Sequence, residues 1–256
     1  MNSIEKSLEI LNYLSNAKRN VGITELSSKL LFPKSTVHRI LNSLLNYSLV
    51  DKEKNTSKYR LGLQILRYSN SFYNSFDFRQ IANPILKKVC IETSLTTFLT
   101  IWLSDRGICI DSVTPSQDSN AIRLFVEVGR EIPFYCTASS KVILANQPIE
   151  DIKRIISKEP LLRYTPNTIT EPKKLIEHLL EIKNKGFAIC DEEHQKGIKA
   201  IAAPIKNIKG ETIASITITG LAQRLNSNNM ERLIKIVADA ATEISKRLGY
   251  NKFIEK

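Results

Sequence analysis

Residues 33–46 read PKSTVHRILNSLLN, and two stripes run through them. At helical spacing Val37, Ile40, Leu41, Leu44 and Leu45 fall at i, i+3, i+4, i+7 and i+8, the period of a helix face that packs on a core. The other side presents Ser35, His38, Arg39, Asn42 and Asn46, with Lys34 in the first turn and no acidic residue in the whole stretch. A solvated helix face ordinarily mixes in Glu and Asp. A row of short donors and positive charge suits a polyanion.

Upstream, Ile4, Leu8, Leu11 and Leu14 space out as a first amphipathic helix ending near SNAKRN (15–20). Thr24 is placed to N-cap a short helix over ELSSKL, with Leu26 and Leu30 facing inward, and the turn LFP brings Pro33 to the edge of the next helix. This is helix-turn-helix spacing. In that motif the second helix enters the major groove, so its first turns need donors and no carboxylates. Lys34, Ser35, Thr36, His38 and Arg39 meet that need. Downstream, LVDKEKNTSKYRLG (49–62) has strand-like runs at Leu49–Val50 and Lys58–Leu61 around a basic tip, the pattern of a β-wing. Lys54, Thr56, Ser57, Lys58, Tyr59 and Arg60 are candidates to touch phosphate or the neighbouring minor groove; the alternative is a solvated hairpin. Base readout is expected from Ser35, Thr36, His38, Arg39 and Asn42, and phosphate contact from Lys34, Lys58, Tyr59 and Arg60.

The charge distribution agrees. Residues 1–60 hold ten basic and five acidic side chains, a net of +5 within the +11 of the chain, which favours a polyanion as partner of this segment unless it reflects compositional drift; the helix-turn-helix spacing makes double-stranded DNA the expected polyanion. With 256 residues and 42% apolar content there is enough material for one larger or two smaller cores. No apolar run is long enough for a membrane span, and MNSIEKSLEI carries charges where a signal peptide is apolar. A cytoplasmic protein with no membrane partner is expected. Cys90, Cys109, Cys136 and Cys190 are scattered without a CxxC pair, which predicts packed, reduced thiols and no zinc finger.

Past the wing, LQILRYSNSFYNSF (63–76) forms a linker helix whose adhesive positions are Leu63, Leu66, Phe72, Tyr73 and Phe76. Its apolar surface has to be covered, either by a symmetry mate or by the second domain. From residue 79 the pattern alternates helix and strand without GxGxxG or a Walker lysine loop, hence an α+β fold. TFLTIWL and ICIDSV flank a turn at Ser104–Gly107. RLFVEVG, AIAAPI and TIASITITG supply further strands, the last two joined by Asn207–Gly210. Helices are expected at 138–146, 149–157, 172–185 and 227–248, the last with Met230, Leu233, Ile234, Val237, Ala241, Ile244 and Leu248 on one face. Thr137, Ala138, Ser139 and Ser140 are small residues at a helix start, which suits close approach of an anion such as a carboxylate or, alternatively, tight helix packing. Thr217 and Thr219 share one face of a strand.

ITELSSKLLFPKSTVHRILNSLLNYSLV followed by YRLG closely resembles the winged helix-turn-helix of the IclR family of bacterial transcriptional regulators. Landmarks of that family's second domain follow in order: CTASSKVILA (136–145), YTPNTIT (164–170), GFAICDEEHQKGIKAIAAPI (186–205) and GETIASITITG (210–220). The resemblance implies a winged helix-turn-helix domain at 1–64, a dimerising linker helix at 65–78, and a GAF-like effector domain at 79–256 with an antiparallel sheet flanked by helices. It also implies a homodimer or homotetramer, usually a repressor. Effector contacts carried over from it are Ala138, Ser139, Ser140, Cys190, Ala200, Thr217 and Thr219. Members that bind small oxo-acids carry Asp, Cys and two Ser where this chain has Cys190, Ala200, Thr217 and Thr219. The implied pocket is therefore less polar and smaller at those points. That directs attention away from glyoxylate or pyruvate and toward an aromatic acid, a larger metabolite with one anionic end, or a DNA-binding protein without an effector.

Other chemistries fit the sequence poorly. The acidic run CDEEH (190–194) places its donors side by side, where they do not converge on one tetrahedral ion, so no metal or other cofactor is expected. The acids beside Cys190 should raise its pKa, which opposes redox sensing. An SxxK pair with Lys141 needs serine at position 138, where alanine stands. His178, in a lysine-rich helix, is expected on the surface, and His194 has no nucleophile beside it. A catalytic role is not indicated.

Overall fold

In the computed structural model, which describes residues 2–17, 19–53, 55–74, 77–115 and 126–250, Asn2 and Glu5 close the first turn of helix α1 (Ser3–Ala17) reciprocally. Asn2 Oδ1 accepts the Glu5 N–H at 2.9 Å, and the Glu5 carboxylate accepts the Asn2 N–H at 2.6 Å, a capping box. Two units follow, Met1–Asp77 and Phe78–Lys256.

The first unit is built on the stripe in residues 33–46. Helix α2 (Ile23–Leu30) and helix α3 (Lys34–Asn46) meet at Leu31, whose left-handed backbone (φ 56°) makes the corner of the helix-turn-helix. Val37, Ile40, Leu41 and Leu44 are buried with Leu26, Ile10 and Leu14; each such side chain contributes roughly 1.5–3 kcal/mol relative to an exposed one. Two local expectations change. Gly22, in an extended conformation, occupies the N-cap position of α2, so Thr24 lies inside the helix. The core takes the Ile10–Leu14 edge of α1, while Ile4 and Leu8 are 71% and 54% exposed; only the C-terminal part of α1 reaches the core cluster.

Strands β1 (Val50–Lys52) and β2 (Tyr59–Leu61) form the wing, with Asp51 opposite Arg60 and Lys52 opposite Tyr59. Val21 and Tyr59 exchange two backbone hydrogen bonds of 2.8 Å, so the wing is also tied to the segment between α1 and α2. Helix α4 (Leu63–Asn74) covers most of the expected linker. Leu63 and Leu66 are exposed on it, whereas the side chains of Phe72 and Tyr73, and Phe76 altogether, lie outside the described residues.

The second unit centres on an antiparallel sheet of order β5-β4-β3-β8-β7-β6: β3 (Thr96–Leu103), β4 (Arg106–Val113), β5 (Glu131–Ile132), β6 (Ala188–Asp191), β7 (Ile198–Lys206) and β8 (Thr212–Leu221). The β3–β4 turn uses Ser104 and Asp105, both at positive φ (51° and 66°), as a two-residue hairpin of matching twist requires. Strand alternation sorts the two faces. Ile201, Ala203, Ile216 and Ile218 lie on the side of helix α9 (Met230–Arg247), whose buried face is Leu233, Val237, Ala240, Ala241, Ile244 and Ser245. Helix α5 (Asp77–Thr93), not anticipated from the sequence, joins that side, where Asn83 donates to the Asp111 carboxylate at 2.8 Å. The other face carries α6 (Ala138–Leu144), with α7 (Ile149–Ser157) and α8 (Pro172–Lys185) packed over it. Helix α6 has seven residues, shorter than expected.

The strand expected at RLFVEVG is not present over Val126–Gly129, where the chain turns; residues 123–125 lie outside the described set. The short edge strand is instead Glu131–Ile132, opposite Gly107 and Ile108. An apolar run at a sheet edge next to Gly129 (φ 86°) is broken by the turn that glycine permits.

Candidate functional site

In the first unit the α3 donors stand where the helix period puts them. Lys34, Ser35, His38, Arg39 and Asn42 are exposed and Thr36 is half-buried. Asn42 Nδ2 lies 3.4 Å from His38 Nδ1 one turn away, a weak contact on the same edge. Lys58 is exposed beside this helix in sequence but on the wing. Arg60 is exposed and held by Asp51, with Nη2 and Nε donating to Oδ2 at 2.8 and 3.1 Å; its guanidinium keeps the Asp51 carboxyl below its ordinary range. Tyr59 is a correction. It is 1% exposed and packs in the core, because alternation along β2 turns residues 59 and 61 inward and 58 and 60 outward. Lys54 lies outside the described residues.

The second unit has a cavity of about 180 Å³ between the start of α6 and the sheet. The register brings its wall together: Cys190 pairs with Ala200, Ala200 with Thr219, and Ala202 with Thr217, which in turn sits opposite Phe98. All these side chains except Ala202 line the cavity, with Ala138 and Ser139 from α6. Ser215 Oγ donates to the Ser139 carbonyl at 2.9 Å, fastening α6 to β8. Six of the seven residues carried over from the family therefore meet at one place. Ser140 does not: it points the other way, donating to the Ile132 carbonyl at 3.3 Å and filling the space above Gly107.

The most deeply buried part of the wall carries hydroxyls. Ser139 and Thr217 are 1% and 0% exposed, and Ser139 Oγ and Thr217 Oγ1 have no hydrogen-bond partner among the described residues. A buried hydroxyl without a partner costs about 1–3 kcal/mol. Thr219 is satisfied, donating to the Lys199 carbonyl at 3.0 Å, and the Cys190 thiol donates to the Cys136 carbonyl at 3.1 Å. Burial, and secondarily the nearby Glu193 carboxylate, pushes the Cys190 thiol up; the acids are the lesser cause. All four cysteines are buried free thiols.

Sequence reasoning missed the rim. Arg130, Glu131, His194, Gln195 and Lys199 form its more exposed side, and Phe98, Ile132 and Ile198 also line it. Burial, then the Arg130 charge, holds the His194 imidazole below its ordinary pKa, and its ring packs edge-on against Tyr164 with centroids 5.0 Å apart. These residues come from loops and strand ends whose positions no local periodicity announces.

The residues of CDEEH diverge, as adjacent residues must. Glu192 accepts the Gly197 N–H at 2.7 Å, Glu193 turns to Lys141 at 2.5 Å, and His194 faces the cavity. His178 is half-buried, not on the surface: Lys141 Nζ donates to its Nε2 at 3.1 Å. Burial first, and the Lys141 charge second, bring its pKa down to about 4.

No helix among the described residues is long and apolar enough to cross a membrane. Comparison with known proteins gives matches over nearly the whole chain. The family described as IclR helix-turn-helix domain matches residues 3–54, and that described as bacterial transcriptional regulator IclR C-terminal matches residues 71–246. The regulator KipR of Bacillus subtilis is 29% identical over 97% of either chain. The transcriptional repressor IclR of Escherichia coli is 26% identical, covering 96% of this chain and 90% of that one. Among solved structures, the IclR protein of Thermotoga maritima superimposes with a TM-score of 0.80 at 29% identity, over 98% of this chain and 100% of that one. An IclR homologue of Microbacterium hydrocarbonoxydans, complexed with 4-hydroxybenzoate, has a TM-score of 0.84 over 96% of this chain and 99% of that one; at 20% identity the likeness bears on the fold.

Proposed function

The chain belongs to the IclR family of bacterial transcriptional regulators, and from that premise we propose that it is a repressor whose hold on DNA is set by a small organic acid in the cavity beside α6. It is a regulator and not an enzyme, as its relatives are. The observation that carries the ligand reading is the pair of orphaned hydroxyls, Ser139 Oγ and Thr217 Oγ1, at the bottom of a cavity of about 180 Å³. A cavity that existed only as a packing fault would be lined by apolar atoms. Polar groups kept without partners suit an occupant that supplies them.

On the DNA side, Ser35, Thr36, His38, Arg39 and Asn42 read bases while Lys34, Lys58 and Arg60 hold phosphate; Tyr59 has no place in that set. The protein acts in the cytoplasm as a homodimer or homotetramer, which places two α3 helices on half-sites about one helical turn apart. Ligand binding selects between arrangements that do and do not match that spacing.

The test is thermal unfolding against a panel of small organic and aromatic acids, since a ligand that binds only the native state stabilises it by RT ln(1 + [L]/Kd). A selective rise that vanishes when Ser139 and Thr217 are enlarged supports the reading. If no acid shifts a protein that still binds its own upstream DNA, it is a DNA-binding regulator without an effector.

A further inference from the structure

Past the C-terminal end of α6 the second unit has another hollow, open to solvent and about 740 Å³ in volume. It shares no lining residue with the cavity at the start of that helix. Its largest apolar side chain is Trp102, the single tryptophan of the chain, which packs on the core cluster that holds α6 and stays half-buried. The oxygens around it are left over from local pairings. Asn146 and Gln147 donate their side-chain NH2 groups to the Val142 and Ile143 carbonyls at 2.8 and 3.4 Å, which leaves their amide oxygens free to accept. Arg154 donates twice to Asp151 Oδ1, at 2.8 and 3.2 Å, and Asn207 donates to Glu211 Oε2 at 2.8 Å, so each carboxylate keeps its second oxygen. Thr212, also in the lining, is 8% exposed, and its Oγ1 has no hydrogen-bond partner among the described residues. Lys183 and Lys209 stand against the two carboxylates in the lining, so the hollow as a whole favours no net charge.

We propose that this hollow is a second ligand site and that its occupant is a neutral sugar, with Trp102 against a C–H face of the ring and the free oxygens of Asn146, Gln147, Asp151 and Glu211 accepting its hydroxyls. A sugar combines the two features that the lining asks for, an apolar ring face for the indole and a rim of hydroxyl donors for oxygens that no protein group donates to. A ligand without hydroxyls would leave those oxygens and the Thr212 hydroxyl unpaired on closing over them, and an anion would meet Asp151 and Glu211. The site goes beyond the effector reading and does not depend on it. Strands β3 and β8 serve both places, with Phe98 and Thr217 in the cavity and Trp102 and Thr212 in the hollow.

The experiment uses the full chain and its own reporter. D-glucose, D-galactose, D-mannose and D-xylose are titrated in parallel with D-glucuronate and benzoate, read by Trp102 fluorescence and by calorimetry. At least one neutral sugar is expected to bind saturably in the millimolar range and to change the emission, whereas benzoate leaves the emission unchanged. Gln147→Ala and Glu211→Ala, each compared with the parent for melting temperature without sugar, should each weaken that sugar roughly fivefold. Thr217→Leu, or Ala200→Leu should the first not fold, crowds the other cavity and should leave the sugar's affinity unchanged. Affinity lost in the cavity variant and kept in the other two puts the sugar beside Ser139 and overturns the second site, as does calorimetric binding that leaves Trp102 emission unchanged. No binding of any neutral sugar, or a response confined to D-glucuronate or benzoate, overturns the ligand class. Each of these failures leaves the effector reading to its own acid panel.

Discussion

Lys141 Nζ and Glu193 Oε1 lie 2.5 Å apart inside the second unit, the lysine side chain 0% and the glutamate 8% exposed. The pair joins α6, which supplies the cavity's Ser139, to the loop that supplies His194. Glu193 Oε2 has no partner among the described residues, so the pair is closely placed without being fully satisfied. Replacing Lys141 by Met should leave a buried carboxylate uncompensated and destabilise the protein by about 3–5 kcal/mol. Adding Glu193→Leu should recover most of that loss, because an apolar pair in the same space carries no desolvation penalty. With the Glu193→Leu single variant measured alongside, losses that simply add in the double variant would show that the pair is not energetically coupled.

His178 should make the protein acid-sensitive. Its pKa of about 4 in the folded chain lies below the roughly 6.5 of an unfolded histidine, so between these values the unfolded state binds more protons. Stability from this group is full above pH 6.5 and falls as pH drops toward 4. His194, also lowered by burial, acts in the same direction. The melting temperature of a His178→Gln variant should depend less steeply on pH across that window; an unchanged slope would assign the acid sensitivity to other groups.

Arg39 and Lys58 should separate base reading from phosphate holding. Arg39→Ala is expected to lose about 1–3 kcal/mol of operator affinity and to relax sequence preference. Lys58→Ala should weaken all sequences alike and lower the slope of log K against log salt by about 1. Selection from random DNA with each variant, alongside salt titrations, measures both quantities. Equal loss of specificity in the two variants contradicts the division.

Tyr59 should behave as core. Tyr59→Ala is expected to destabilise the first unit by about 3–5 kcal/mol, whereas Tyr59→Phe should leave the salt slope of DNA binding where it was. A reduced slope in the phenylalanine variant would return this residue to the DNA-contacting set.

Gly62 should resist even alanine. A Cβ there would stand 2.2 Å from the Ser48 carbonyl oxygen, and that backbone accepts the Gln64 N–H at 3.1 Å, so neither side yields cheaply. Chemical denaturation of Gly62→Ala should show a clear loss of stability; a midpoint equal to the parent's would mean that the wing relaxes around the added carbon.

The recognition helix was legible in the sequence because its information is local. Val37, Ile40, Leu41 and Leu44 repeat at the helix period, and any core that buries them exposes Ser35, His38, Arg39 and Asn42. Strands β3, β7 and β8 were legible for the same reason, as was the meeting of Thr217 with Cys190 and Ala200 once the family likeness supplied the alignment. Tyr59 was misread through the period of two, since a strand of three residues does not reveal which alternate side faces inward. Ser140, Arg130 and His178 were decided by tertiary structure alone. Ser140 is turned to Ile132 by the packing of α6 over Gly107, Arg130 enters the cavity lining just ahead of the edge strand β5, and His178 meets Lys141 across two helices. Periodicity fixes which face of an element is buried, whereas the partner of a buried polar group depends on chain segments far away in sequence, and only their packing settles it.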